Sequence, residues 1–228
     1  MKILLMLVAY LIAFSPVYAA EQTSARDQQA PGYYRMTLGK LRITAVSDGT
    51  VTVPLNKLLT NISPEKLNQE MARDSMTPQA ETSINAFVID NGKQRILVDT
   101  GAGELFGHTG GHLLTNLAAA GYPPESIDAV LLTHIHADHS GGVSRAGKPA
   151  FPKAEVFVDK RDVDFWLNPA NVSRVEASQV HTFAESERTL RPVINAGLLK
   201  TFMAPATLPG ESVQSRQPAT RRAAYFIG

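Results

Sequence analysis

The stretch Thr133-His134-Ile135-His136-Ala137-Asp138-His139-Ser140-Gly141-Gly142 concentrates the residues that could do chemistry. Neutral imidazole and carboxylate are the ligands that zinc and similar divalent metals prefer. His134 and His136 are two apart, so on an extended segment they point the same way. Asp138 and His139 then fall on a turn, and the flexible Gly141-Gly142 pair lets the chain leave it. One ion could take His134 and His136, and a second could take Asp138 and His139. The run is therefore read as a metal site. A solvated, His-rich turn is the bland alternative.

The elements that must position this loop follow from periodicity. Ala129-Val130-Leu131-Leu132 is an unbroken apolar run and predicts a buried strand that delivers the ligands. Upstream, Met36 and Leu38 alternate with Leu41, Ile43 and Ala45 across Gly39-Lys40, as in a hairpin. Asp48-Gly49 predicts a second turn, with a short strand at Val51 to Val53. Ser63-Pro64-Glu65-Lys66 starts a helix. Strands over 84–89 and 95–98 join through Asp90-Asn91-Gly92. A helix is predicted over 113–120 with Gly121 as its stop. A strand over 154–158 and a short helix over 161–167 follow. Residues 178–197 read as an amphipathic helix broken at Pro192. Strands alternating with helices, partly as hairpins, point to a layered α/β fold.

Composition bounds the rest. The chain has 228 residues, 44% of them hydrophobic, a net charge of +1 and no cysteine. That is one or two domains with a core, and no disulfide or thiolate site. A near-neutral charge argues against nucleic acid or an acidic surface as partner. Residues 1–20 read as a signal peptide: Lys2, an apolar stretch over 3–14, Pro16, and a cleavage site after Ala19 or Ala20. An uncleaved anchor is the other reading of the same residues. Either places the rest outside the cytoplasm, in the periplasm or secreted. Residues 21–32 form a flexible lead-in.

His134-x-His136-x-Asp138-His139 resembles the signature of the metallo-β-lactamase superfamily. Five further motifs narrow the resemblance to its methyl parathion hydrolase-like branch. These are Pro31-Gly32-Tyr33-Tyr34-Arg35, Ser47-Asp48-Gly49-Thr50, Leu97-Val98-Asp99-Thr100-Gly101, Leu105-Phe106-Gly107 and Asp164-Phe165-Trp166-Leu167. The similarity runs over about 31–202. It implies a four-layer αββα sandwich, of which 33–202 would form an incomplete, N-terminal half. It implies two zinc ions and metal-assisted hydrolysis by a hydroxide held between them, with Asp138 both ligand and catalytic residue. Asp99 and Thr133 would sit just behind the ligands, Asp99 accepting from the other ring nitrogen of a ligating imidazole; a cap on the turn after its strand is the bland alternative for Asp99. Phe106, Trp166 and Phe183 are candidates for the wall of an apolar substrate pocket, and core packing is the competing role for Trp166. Members of the branch hydrolyse organophosphate triesters, and relatives open lactones. The expected partner is thus a small ester-type substrate, with no membrane contact after signal cleavage, and a homodimer is compatible. Di-iron redox relatives are a further class. His108 and His112, in a Gly-rich loop, match no family ligand position and are read as exposed, with metal ligation the alternative; His181, far past the metal loop, is read as surface.

The chain end departs from the family pattern. No histidine follows His181 and no aspartate follows Asp164, so a third imidazole, a bridging carboxylate and a last histidine have no counterpart. A shifted reading frame through the codons of Pro218 to Ala223 can spell Gly-His-Thr-Pro-Gly, which resembles the family's missing segment. The expectation is a frameshifted, irregular tail over 203–228 and impaired activity. The alternative is a non-catalytic remnant that binds metal weakly or not at all.

Overall fold

The computed structural model describes residues 29–59 and 61–203. The expected signal peptide, most of the lead-in and the tail beyond Met203 lie outside the described residues. One seven-stranded sheet runs in the order β1-β2-β3-β4-β5-β8-β9. Strands β1 (Tyr33–Leu38), β2 (Leu41–Pro54), β3 (Gln79–Asp90) and β4 (Arg95–Val98) form an antiparallel meander. β5 (Ala129–Leu131), β8 (Glu155–Asp159) and β9 (Leu199–Phe202) continue parallel to β4. A two-residue hairpin, β6 (Ser144–Arg145) and β7 (Lys148–Pro149), stands apart. The helices are α1 (Leu55–Leu58), α2 (Pro64–Arg73), α3 (Leu113–Ala119), α4 (Ala137–Ser140), α5 (Lys160–Trp166) and α6 (His181–Asn195). Among the described residues no helix is long and apolar enough to cross a membrane.

Period-two patterning decides which face of the sheet is covered. Val46, Ala86, Val88, Leu97, Val130, Val156 and Val158 lie on one face and are fully or almost fully buried. Leu113 and Leu117 of α3, Trp166 of α5 and Phe183, Leu190 and Val193 of α6 pack with them in one core. Each such aliphatic side chain contributes about 1.5–3 kcal/mol by leaving water. The described residues thus form one sheet and one helical layer of the expected sandwich.

Two local expectations are corrected. Asp48-Gly49 is no turn, because β2 runs on through it against the twelve-residue β3. The register slips between Ser47 and Gly49, so Asp48 is the extra residue of a β-bulge. The predicted helix over 178–197 starts later, at His181, and does not break at Pro192. That proline lies within the last turn, where a missing N–H removes one bond, and burial of Leu190 and Val193 on either side holds the helix together. Ser63 caps α2 as expected, its Oγ accepting from Lys66 N at 3.2 Å.

Candidate metal centre

The histidine loop leaves the C-terminal end of β5. Ile135 alternates with the two histidines on either side of it, and its own side chain is fully buried. His134 and His136 therefore share the other side, with ring centroids 4.6 Å apart. The chain then turns into the single turn of α4, with His136 at its N-cap position. The His136 carbonyl accepts from His139 N at 3.0 Å and Ser140 N at 2.8 Å. This turn brings the His139 ring to 4.0 Å from that of His134. All three imidazoles converge, and Asp138 Oδ2 lies 3.3 Å from His139 Nε2.

Asp99 braces this group from behind. Its carboxylate accepts from Thr133 N at 2.8 Å and lies 2.8 Å from His139 Nδ1. The Thr133 hydroxyl reaches both Asp99 oxygens, at 3.0 and 2.9 Å, and stands 3.1 Å from His134 Nδ1. Both Nδ1 atoms are thus tied down on the side away from the cluster. A carboxylate or hydroxyl partner on one ring nitrogen fixes the tautomer and aims the other nitrogen outward.

Electrostatics separates the rings. Burial, followed by the neighbouring His139 and His136, pushes His134 down to about 4. Burial also lowers His136. Both are neutral near pH 7, the form that ligates a metal. Burial would lower His139 too, but hydrogen bonds to Asp138 and Asp99 and their charges outweigh it and raise it to about 9. Burial would raise the Asp138 carboxyl, yet the hydrogen bond and charge of His139 hold it below the usual range. The two carboxylates create a field that favours a cation beside the rings.

The donor set fits a borderline divalent metal in kind and in ring orientation. It does not complete a cage: among the described residues no group of three or more His, Cys, Asp or Glu side chains is placed to hold one ion. His108 and His112 are exposed and remote from the rings in sequence and element. His181, at the start of α6, has a side chain 65% exposed and lies 3.7 Å from Glu185. Its charge is nonetheless felt at His136. Trp166 and Phe183 are core residues, each 9% exposed, with ring centroids 5.0 Å apart. The Trp166 ring meets His136 edge-on at 5.3 Å. Phe106 lies half-buried in the Gly103–Thr109 3-10 segment and joins neither of them in a ring contact. A cavity of about 200 Å³ lies beside Thr100, Gly103 and Gly142 and is lined by none of the three aromatics.

Sequence reasoning missed two acidic supports. Asp162 of α5 accepts from Ile135 N at 3.1 Å, holding the backbone between the two leading histidines. Burial pushes its carboxyl up, against the lowering effect of that same hydrogen bond. Asp48 is the other, its carboxylate accepting from Ala102 N at 2.8 Å and Leu113 N at 3.0 Å. Neither carries a local signal, because their partners are remote in sequence.

The residue pattern of the metallo-beta-lactamase superfamily matches residues 80–193. The chain belongs to this superfamily. Within it, the solved hydrolase AbOPH is 33% identical, with a TM-score of 0.74 over 80% of this chain and 65% of that one. The dizinc quorum-quenching lactonase AidC is 25% identical, with a TM-score of 0.70 over 78% of this chain and 63% of that one. Exodeoxyribonuclease WalJ of Streptococcus pneumoniae is 28% identical over 102 residues, 45% of this chain and 35% of WalJ. The chain therefore spans only part of the length of each.

Proposed function

We propose that the protein is a metal-dependent hydrolase of small ester-type molecules, aryl phosphotriesters or lactones, using zinc, two ions in the complete site. The observation that carries this is the convergence of His134, His136 and His139 with Asp138, the Nδ1 atoms of His134 and His139 being anchored on Thr133 and Asp99. Membership of the superfamily supports it, as does the likeness to AbOPH, a hydrolase, and AidC, a dizinc lactonase. The methyl parathion hydrolase-like branch remains the closer reading, on the five motifs above. In this reading His134 and His136, neutral through burial, would hold one ion, and Asp138 with His139 the other, His139 giving up on binding the proton that it carries near pH 7. An ion bound there supplies Lewis acidity, polarising the ester oxygen and activating water near neutral pH. Asp99 and Thr133 keep the rings from rotating, and Trp166 packs beneath His136. Residues 1–20 favour export, to the periplasm or beyond.

The test is turnover of an aryl phosphotriester and of an acyl lactone by the purified chain with added zinc or manganese. Hydrolysis of either, abolished by His134→Ala and His136→Ala, is expected. No turnover of either with metal present would refute the reading. One observation favours a second reading, a chain that binds metal weakly and is at best feebly hydrolytic. Catalytic zinc sites use three protein ligands, and the described side chains do not provide three for one ion. Weak, substoichiometric zinc uptake together with negligible turnover would favour it.

A further inference from the structure

Asp48 is a fully buried carboxylate on the bulge of β2. Its Oδ2 accepts from the backbone amides of Ala102 at 2.8 Å, Gly103 at 3.3 Å and Gly111 at 3.1 Å. Its Oδ1 accepts from Leu113 N at 3.0 Å, and its own carbonyl from His112 N at 3.0 Å. One side chain thus gathers the amides at both ends of the loop between β4 and α3. The bulge supplies the reason: the extra residue turns the carboxylate off the ladder and into the loop. Gly101 is shaped to it, since a Cβ there would lie 2.3 Å from Asp48 Cγ.

The near end of that loop is the seat of the metal loop. Thr100 donates to the His139 carbonyl twice, from N at 2.7 Å and from Oγ1 at 2.9 Å. Gly142 N donates to Gly101 O at 3.1 Å. The two backbones cross in contact, so that a Cβ on Gly141 would stand 2.2 Å from Ala102 O.

We propose that Asp48 is a positioning residue, whose carboxylate fixes the 100–113 loop and through it the placement of His139. This rests on the metal-hydrolase reading for its functional meaning. Asparagine cannot substitute, because turning one oxygen toward the three amides leaves its NH₂ facing the N–H of Leu113. A purely architectural role would lower stability and leave the ring of His139 as it is.

The experiment compares Asp48→Asn with Asp90→Asn in the full chain, each checked for fold by far-UV circular dichroism. Asp90 is also a buried carboxylate, accepting from Gly92 N at 2.8 Å and the Tyr122 hydroxyl at 3.3 Å. It pairs with Arg95 at the opposite end of β4 from Asp99, so it controls for the loss of a buried acid. Two readouts are taken: the ring nitrogen shifts of His139 in metal-free protein, and Co²⁺ titration followed by visible absorption. Asp48→Asn should move the His139 ring signals and weaken Co²⁺ binding at least about tenfold, with Asp90→Asn like the parent in both. Unchanged ring signals in Asp48→Asn overturn the proposal, and so does an equal change in Asp90→Asn. If Asp48→Asn does not fold, Thr100→Val removes the hydroxyl bond of the next link while leaving its amide bond, and unmoved His139 signals in that variant overturn it equally. A parent that takes up no Co²⁺ defeats the metal reading alone, because the His139 signals of metal-free protein still decide the positioning role.

Discussion

Asp99 holds the centre together under backbone strain. Its φ is 60°, in the left-handed region that aspartate enters more readily than most residues. From there its carboxylate faces Thr133 N, Thr133 Oγ1 and His139 Nδ1, all of which can donate. Asp99→Asn would turn an NH₂ toward at least one of them. The expected cost is about 1–3 kcal/mol in urea unfolding of the metal-free protein, the cost of a buried donor left unmatched. Zinc affinity, read by competition with a chromophoric chelator, should fall about 10- to 100-fold. At this scale the sequence was legible where the chemistry is local. Three imidazoles and a carboxylate within one short run can hardly avoid meeting. It was opaque where the support is remote: Asp162 reaches Ile135 across 27 residues, and Asp48 reaches Leu113 across 65.

At the scale of elements, strands and helices follow their patterns wherever the neighbouring element agrees with the local signal. Asp-Gly is a turn signal in isolation, and only the long partner strand β3 converts it into a bulge. Pro192 is a helix breaker in isolation, and only the buried flanks of α6 override it. That override costs stability, so Pro192→Ala should restore a backbone bond and raise stability by up to about 3 kcal/mol. Thermal unfolding of the two proteins side by side checks this. The crossing of the metal loop over the β4 exit is less forgiving. A Cβ on Gly142 would lie 2.1 Å from Thr100 O, backbone against backbone. Gly142→Ala should therefore cost about 1–3 kcal/mol in chemical unfolding, as overpacked positions do. It should also lower metal affinity, since Thr100 contacts the His139 carbonyl.

At the scale of the molecule, the sheet is asymmetric in what covers it among the described residues. The register aligns Tyr34, Ala45, Phe87, Val98, Leu131 and Phe157 across six strands, on the face opposite the helices. Met36, Ile43, Ile89 and Ile96 form the next row. Every one of these is half-buried or exposed among the described residues, with Tyr34 at 72% and Phe87 at 44%. Soluble chains rarely leave a contiguous apolar face of this kind open to water. The native protein should therefore bind a hydrophobic dye such as ANS without denaturant. Phe87→Glu and Phe157→Lys, introduced together, should remove much of that fluorescence and leave the far-UV circular dichroism unchanged. Both side chains lie on the open rows, away from the core that holds the histidine loop, so zinc uptake should persist in the double variant. A parent that binds no dye would mean that the face is covered in solution, and the prediction would fail.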